Sequence, residues 1–354
     1  MRAARFHAAR DIRVEEVPQP SHELVADQLL IRTRACGICG TDLHEYRHGP
    51  IHTLTQPHPR SGAVIPQILG HEFSGEVAAA GPDVRAIAVG DRVAIMPQVY
   101  CGRCAQCLAG RQQCCLNLMA VGYSWPWGGF GEYALVHEPQ VATLPDDISD
   151  AAGALVEPAA VGVHAAASAP VRPGDRVLVS GGGPIGQLSA LAALAAGAGA
   201  VYLAEPNDGR RALAAGLGLT DVIDPRATSV AERLMDETGG LGADVALECS
   251  GSQPGLEGCL AAVRSGGTVV QTALFPGPVA LDVSAALTLR DVTLKGVYCY
   301  PVTSWPRVIR LIATGRLPVE RIVTAHVGLD EIVPGGFEPL ASADSTHVKV
   351  LVWL

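Results

Sequence analysis

Cys101, Cys104, Cys107 and Cys115 stand at C-x2-C-x2-C-x7-C spacing inside the polar run YCGRCAQCLAGRQQCC. Four thiolates at such spacing close a tetrahedron around Zn2+, and a closed site holds together a loop that has no apolar core of its own. Read as a disulfide or redox cluster, the same residues would suit a small secreted domain. This chain has 354 residues, opens on the charged MRAARFHAARD rather than an apolar leader, and places half of its ten cysteines in that one loop. A structural zinc is therefore expected. Cys114 adjoins Cys115 and is an alternative to it by position.

A second set of ligand types is spread along the chain. ACGICGTDLHEY supplies Cys39, LGHEFSG supplies His71 and Glu72, and LVEPAAVGVH supplies Glu157. A catalytic zinc keeps one position open and borrows ligands from distant parts of a scaffold, which matches such dispersal. Each residue also has a plainer reading. Cys36 and Cys39 could form a redox pair, His71 a hydrogen-bonded core histidine, and Glu157 a carboxylate at a helix start before Pro158. The residues alone leave both readings open.

The elements that must position these groups fall into two textures. The first part of the chain has short alternating or apolar runs, LLIRTRA, EFSGEVAAAG and DRVAIMP, separated by Gly, Pro and Asp turns. From about residue 173 the runs RVLVS, AVYLAE, DVIDP, DVALECSG, GGTVVQTAL and TLKGVYCY alternate with Ala/Leu-rich stretches at helical spacing. That alternation predicts βαβ units and a parallel sheet covered on both faces. The tail closes with the apolar strand HVKVLVWL. We expect a β-rich domain over 1–158, with 299–354 folding back onto it, and a doubly wound domain over 159–298.

Composition narrows the function classes. With 48% hydrophobic residues the chain can bury a large core. A net charge of −9 argues against a nucleic-acid polyanion as partner and favours a small molecule. The mean hydropathy of +0.25 raises the question of a membrane span. The best candidate, LSALAALAAGAGAVYLA, follows a glycine-rich turn and breaks at Gly197 before a β-like run, so no span is expected. The expected location is the cytoplasm.

The turn VLVSGGGPIGQLSALAALAAG places Gly181, Gly183 and Gly186 at G-x-G-x-x-G between a strand and a helix, with Pro184 and Ile185 opening that helix. The first glycine permits the tight turn, the second lets a pyrophosphate approach the backbone, and the third lets helix and strand pack closely. The helix N-terminus then favours the phosphate charge. Glu205 closes the next strand, where a carboxylate accepts hydrogen bonds from both ribose hydroxyls and repels a 2′-phosphate, so NAD is favoured over NADP. Its plainer reading is a solvated strand end. Arg210 and Arg211 stand close by and soften the preference.

Together C-G-I-C-G-T-D, G-H-E, the four-Cys loop, V-E-P and G-G-G-P-I-G resemble the zinc-dependent medium-chain dehydrogenases across essentially the whole chain. HEYRHGPI, PHPRSGAVIPQILGHEFSG, GALVEP and GGFEPLAS are most similar to the butanediol dehydrogenases and the neighbouring sorbitol dehydrogenases. The resemblance implies a GroES-like β-rich catalytic domain, a Rossmann domain, and two Zn2+ ions with NAD. It makes Cys39, His71 and Glu157 ligands of a catalytic zinc, with Glu72 a direct ligand or an adjacent exchanging carboxylate. It makes Asp42 the partner that orients a histidine or arginine near the metal. Thr41 and His44 take the proton-relay positions, the proton leaving through the cofactor ribose, and Leu274 and Phe275 fall near the nicotinamide. The implied activity is oxidation of a small vicinal diol or α-hydroxyketone, of the 2,3-butanediol and acetoin type, by a homodimer or homotetramer. A polyol or a specialised-pathway alcohol is the alternative substrate, and a non-catalytic NAD-binding protein the alternative class.

The chain departs from the family pattern at YSWPW, where Trp125 and Trp127 either reshape the substrate pocket or pack a Pro-turned loop or subunit contact. His48, His52 and His58 are expected in a solvated loop.

Overall fold

The computed structural model describes residues 1–219, 221–342 and 344–354. They group into two units. One comprises Met1–Glu157, Pro301–Ala313 and Val323–Leu354; the other comprises Pro158–Tyr300 and Thr314–Ile322. The tail is thus divided, because Leu317, Val319 and Ile322 are buried in a segment that belongs with the second unit.

The first unit is built on a seven-stranded sheet. Its spatial order is Val141–Thr143, Arg92–Ile95, Glu72–Ala80, Gln28–Gly37, Lys349–Trp353 and Val323–Gly328, with Tyr133–His137 pairing onto Gln28–Gly37 as well. The long strand Gln28–Gly37 is buried at Leu29, Leu30, Ile31, Thr33, Ala35 and Cys36, with Arg32 exposed and Arg34 half-buried, and it has paired neighbours on either side. Its end decides where the chemistry lies. Gly37 pairs with Glu72 on one side and with Leu351 on the other, so GHE and the last strand meet at one edge of the β-core. Phe6, Leu29, Ile31, Phe73, Phe130 and Phe337 are essentially inaccessible and fill this core. Burying each such side chain is worth roughly 1.5–3 kcal/mol.

The chain leaves Gly37 and enters the helix α1 (Gly40–His48), for which Cys39 is the N-cap. Downstream, α2 (Val156–Ser168) carries Glu157 in its first turn.

The second unit is a six-stranded parallel sheet in the order Asp221–Ile223, Ala200–Ala204, Arg176–Ser180, Ala243–Glu248, Val263–Gln271 and Thr293–Gly296. The strand order reverses at Arg176–Ser180, where ligands bind in open α/β sheets. The apolar run suspected of spanning a membrane is instead the helix α3 (Pro184–Ala195) followed by the strand Ala200–Ala204. No helix among the described residues is long and apolar enough to cross a bilayer.

Candidate metal centres and dinucleotide site

Cys39, His71 and Glu72 present ligand atoms that all lie within 4.8 Å of one another. Asp42 organises two of them. One of its oxygens accepts the Cys39 backbone N–H at 3.0 Å, fixing the start of α1, while the other accepts the Tyr123 hydroxyl at 2.7 Å and faces His71 Nδ1 at 3.5 Å. His71 Nδ1 is buried without a hydrogen bond, and its orientation toward Asp42 leaves Nε2 for a metal. Burial disfavours the charge on both groups, but their mutual attraction outweighs it. The Asp42 carboxyl falls below its ordinary range, and Asp42 with Cys39 pushes the His71 imidazole well above its own. A soft thiol, an imidazole and a carboxylate, converging without a disulfide, are a donor set that fits Zn2+.

Behind this cluster lies a buried ion pair. Lys349 Nζ donates to Glu72 Oε2 at 2.6 Å, to Glu72 Oε1 at 2.9 Å and to the Ile38 carbonyl at 3.0 Å. Both side chains are 1% exposed. Burial works against the Lys349 charge, yet Glu72 and Cys39 raise its pKa above the ordinary value, so the ammonium is retained. Gly37 is required here, since a Cβ would stand 2.3 Å from Glu72 Oε2.

The remaining residues expected at this site are dispersed around the cluster. Thr41 Oγ1 lies 3.8 Å from Cys39 Sγ, and His44 follows one turn later on the same face of α1. His44 is exposed, and its pKa is lowered by partial burial and by the neighbouring Arg47, His48 and His52. Glu157 is buried in the first turn of α2, but the structure does not bring it into the Cys39–His71–Glu72 group. Cys36 is fully buried in its strand with its thiol pKa pushed well up by desolvation, a poor redox partner.

Three residues at this site escape a reading of the sequence. Tyr123 is buried, packs its ring 5.2 Å from that of His71, and holds Asp42. Glu45 is fully buried and accepts the backbone N–H groups of Ile51, His52 and Thr53 together with the Thr53 hydroxyl. This carboxylate fixes the loop after α1 and sets the exposed His52 ring edge-on to Tyr123 at 5.7 Å. His52 is therefore tied to the site rather than merely solvated. Lys349 is the third.

Cys101, Cys104, Cys107 and Cys115 converge within 4.8 Å and all are free thiols. Cys104 Sγ lies 3.5 Å from Cys107 Sγ and 3.9 Å from Cys115 Sγ. The backbone N–H groups of Cys101 and Asn117 each donate to Cys115 Sγ at 3.3 Å. Cys114 is exposed and outside the cluster, which resolves the choice between the two adjacent cysteines. Four sulfurs without an open position fit a structural Zn2+.

Trp125 is an anchor of its loop. Its indole N–H donates to the Leu135 carbonyl at 2.7 Å, and its ring meets His137 at 5.3 Å. Gln67 ties down the carbonyls of Trp125 and Pro126. Trp127 is half-buried and lines a shallow cleft with Arg5, Pro18 and Ala63. These contacts are those of a packed Pro-turned loop.

In the second unit a cavity of about 510 Å³ opens beside the glycine turn, lined by Gly181, Gly183, Glu205, Arg210, Arg226 and Ser250 among others. Gly181 has φ +101°, and a Cβ on Gly186 would stand 1.8 Å from the Gly181 carbonyl oxygen, so both positions require glycine. Gly183 caps α3, and Pro184 and Ile185 begin it, leaving its first N–H groups for an anion. Glu205 Oε2 accepts the Gly182 N–H at 2.6 Å and Oε1 the Asn207 N–H at 2.8 Å, so the buried carboxylate is fixed while each oxygen keeps a lone pair. Arg211 is occupied by the carbonyls of Glu205 and Pro206 and by Asp208. Arg210 keeps a buried Nε without a partner. Leu274 is exposed, and Phe275 packs against the sheet core of this unit.

The chain matches the family model for the alcohol dehydrogenase GroES-like domain over residues 25–146 and that for the zinc-binding dehydrogenase domain over residues 184–314. It is 34% identical to a sorbitol dehydrogenase of Bacillus subtilis (100% of this chain, 97% of the relative) and 35% identical to an (R,R)-butanediol dehydrogenase of the same organism (99% of each). An L-threonine 3-dehydrogenase of Rhizobium rhizogenes is 34% identical, covering 96% of this chain and 94% of that one. Among solved structures, the 2R,3R-butanediol dehydrogenase of Bacillus subtilis superposes with a TM-score of 0.91 at 34% identity, over 100% of this chain and 99% of that one. A zinc-binding dehydrogenase of Sinorhizobium meliloti bound to NADP does so with 0.89 at 34% identity, over the same shares. Sheet order, converging ligands and glycine turn thus carry the same meaning as the full-length similarity: the chain belongs to the zinc-dependent medium-chain alcohol dehydrogenases, oxidoreductases that use zinc and NAD(P).

Proposed function

We propose that this dehydrogenase oxidises a small vicinal diol to the α-hydroxyketone with NAD, 2,3-butanediol and acetoin being the first choice. The observation that carries the chemistry is the convergence of Cys39, His71 and Glu72 around an oriented imidazole. The similarity to butanediol dehydrogenases carries the substrate. Cys39 Sγ and His71 Nε2 would hold zinc, with Glu157 joining them on the family resemblance and Glu72 standing beside them. Bound there, zinc supplies Lewis acidity to the substrate oxygen. NAD held at the glycine turn would supply the hydride acceptor for the carbinol carbon, and Thr41 and His44 offer the hydroxyl proton a path along one face of α1. Asp42, facing Nδ1 at 3.5 Å, would favour the proton on that nitrogen and leave Nε2 for the metal. A cytoplasmic homodimer or homotetramer completes the reading.

A panel of diols, polyols and L-threonine with NAD, and of acetoin with NADH, tests the substrate. Butanediol oxidation and acetoin reduction are expected to show the highest kcat/KM. Turnover of a polyol or threonine in their place would refute the substrate while leaving the chemistry intact.

For the cofactor, Glu205→Ala should weaken NAD more than NADP and narrow the preference between them. Loss of charged hydrogen bonds to the ribose costs about 1.5–3 kcal/mol, roughly ten- to a hundredfold in Kd. The unpartnered Arg210 Nε favours a second reading, in which a 2′-phosphate is also accepted. A parent enzyme that binds NADPH more tightly than NADH would select it.

A further inference from the structure

A lysine ammonium with almost no access to water is expensive to bury unless it is paired, and a carboxylate beside a metal cluster is an available ligand unless something else claims it. Lys349 and Glu72 meet both conditions at once. The ammonium reaches both oxygens of Glu72 and is held in place by the Ile38 carbonyl, one residue before Cys39. The strand pairing that produces this contact joins the last strand of the chain to the end of Gln28–Gly37, and that strand in turn to Glu72. Lys349 itself has no place among the ligand atoms.

We propose that Lys349 is a positioning residue for the metal centre: by fixing and neutralising the Glu72 carboxylate, it limits how much negative charge the centre offers the metal. The inference rests on the proposed catalytic centre of Cys39 and His71. The pair Cys39 thiolate and Glu72 carboxylate would otherwise present two full negative charges beside a divalent ion. Lys349 cancels one of them from behind, which weakens metal binding somewhat and leaves more positive charge to act on a substrate oxygen. The arrangement also explains why a charged residue is tolerated in a strand whose next three residues, Val350, Leu351 and Val352, are fully buried apolar side chains.

The test uses the full chain loaded with Co2+, read by its visible spectrum and by the rate of metal loss to a chelator. Lys349→Met should shift the cobalt bands and slow metal loss by about tenfold, the low end of what partners of ligands contribute. Glu72→Gln should speed metal loss by a similar factor, because the ammonium is then unopposed. The double variant Lys349→Met/Glu72→Gln should return to within about twofold of the parent, since the pair's net charge beside the metal is again zero. Lys349→Arg, which keeps the charge, should restore the parent spectrum. Should Lys349→Met fail to fold, the comparison of Glu72→Gln with the double variant decides the matter: removing the lysine must then recover the lost affinity. A double variant that loses metal as fast as Glu72→Gln, or a spectrum and off-rate indifferent to Lys349, would overturn the inference. Failure of the parent chain to take cobalt at a second site would overturn the catalytic centre itself.

Discussion

Cys39→Ser should abolish NAD-dependent turnover in a chain that remains folded, whereas Cys104→Ser should leave a chain of reduced stability. Both substitutions replace a thiolate with a hydroxyl, a much weaker ligand for zinc, so the contrast comes from what each site does. Cys39 is the N-cap of α1, a position where serine is among the preferred residues, and its backbone N–H remains available to Asp42. Little of the local fold is therefore lost. What disappears is the soft ligand, and with it several kcal/mol of Lewis-acid assistance, on the order of a thousandfold or more in kcat.

Cys104 lies between Cys107 and Cys115 in a loop whose only regular structure is two short helical turns, Ala105–Leu108 and Gln112–Cys114. Leu108 and Leu116 in this loop point into solvent and contribute no core. A zinc closed in by the four thiolates would thus carry much of the loop's folding free energy. Losing on the order of 3 kcal/mol would lower Tm by roughly 6–12 °C for a unit of this size. Thermal melts beside steady-state assays check both halves. If the Cys104 variant keeps its Tm and the Cys39 variant unfolds, the two roles are reversed.

The second large effect concerns the proton. His44→Gln should slow diol oxidation most at low pH, and added buffer base should partly restore it. Partial burial and the surrounding Arg47, His48 and His52 lower the His44 pKa below the ordinary 6.5. A histidine must be neutral to accept a proton, so a lowered pKa keeps the parent competent to pH values below 6.5 and activity falls as pH drops through that pKa. Glutamine titrates nowhere in this range and leaves proton removal to hydroxide or buffer, whose supply shrinks with pH. His52→Gln should instead alter KM, because its ring packs on Tyr123, which in turn packs on His71. Equal pH profiles for the two variants would show that His44 carries no proton.

Local chemistry made part of this site legible before any fold was known. The four thiols are close in sequence and can close on one ion without help from the rest of the chain, so their spacing alone identifies them. The glycine turn is equally local: strand, turn and helix follow one another within a few residues. Cys39, His71 and Glu72 are different, because only the pairing of Gly37 with Glu72 unites them. Lys349 was the least accessible. In HVKVLVWL it reads as one polar residue in an apolar strand, and only the antiparallel pairing with Gln28–Gly37 shows that its side chain ends on Glu72, 277 residues away. The lone lysine among buried neighbours was nevertheless a signal, since such a charge requires a partner. Tyr123 and Glu45 gave none, being an unremarkable aromatic in a glycine-rich loop and one more acid on a charged helix. Glu157 was placed by resemblance, and the structure sets it in the first turn of α2.

The central claim is that one chain holds two zinc ions with different work. Metal content measured during graded chelation, with turnover and Tm followed in parallel, tests it most directly. The account predicts two zinc ions per chain. The more labile one should leave first, take NAD-dependent diol oxidation with it at nearly constant Tm, and restore activity when returned; the second should leave only as the chain loses stability. A single tightly held zinc, or full turnover after the labile ion has gone, would contradict it.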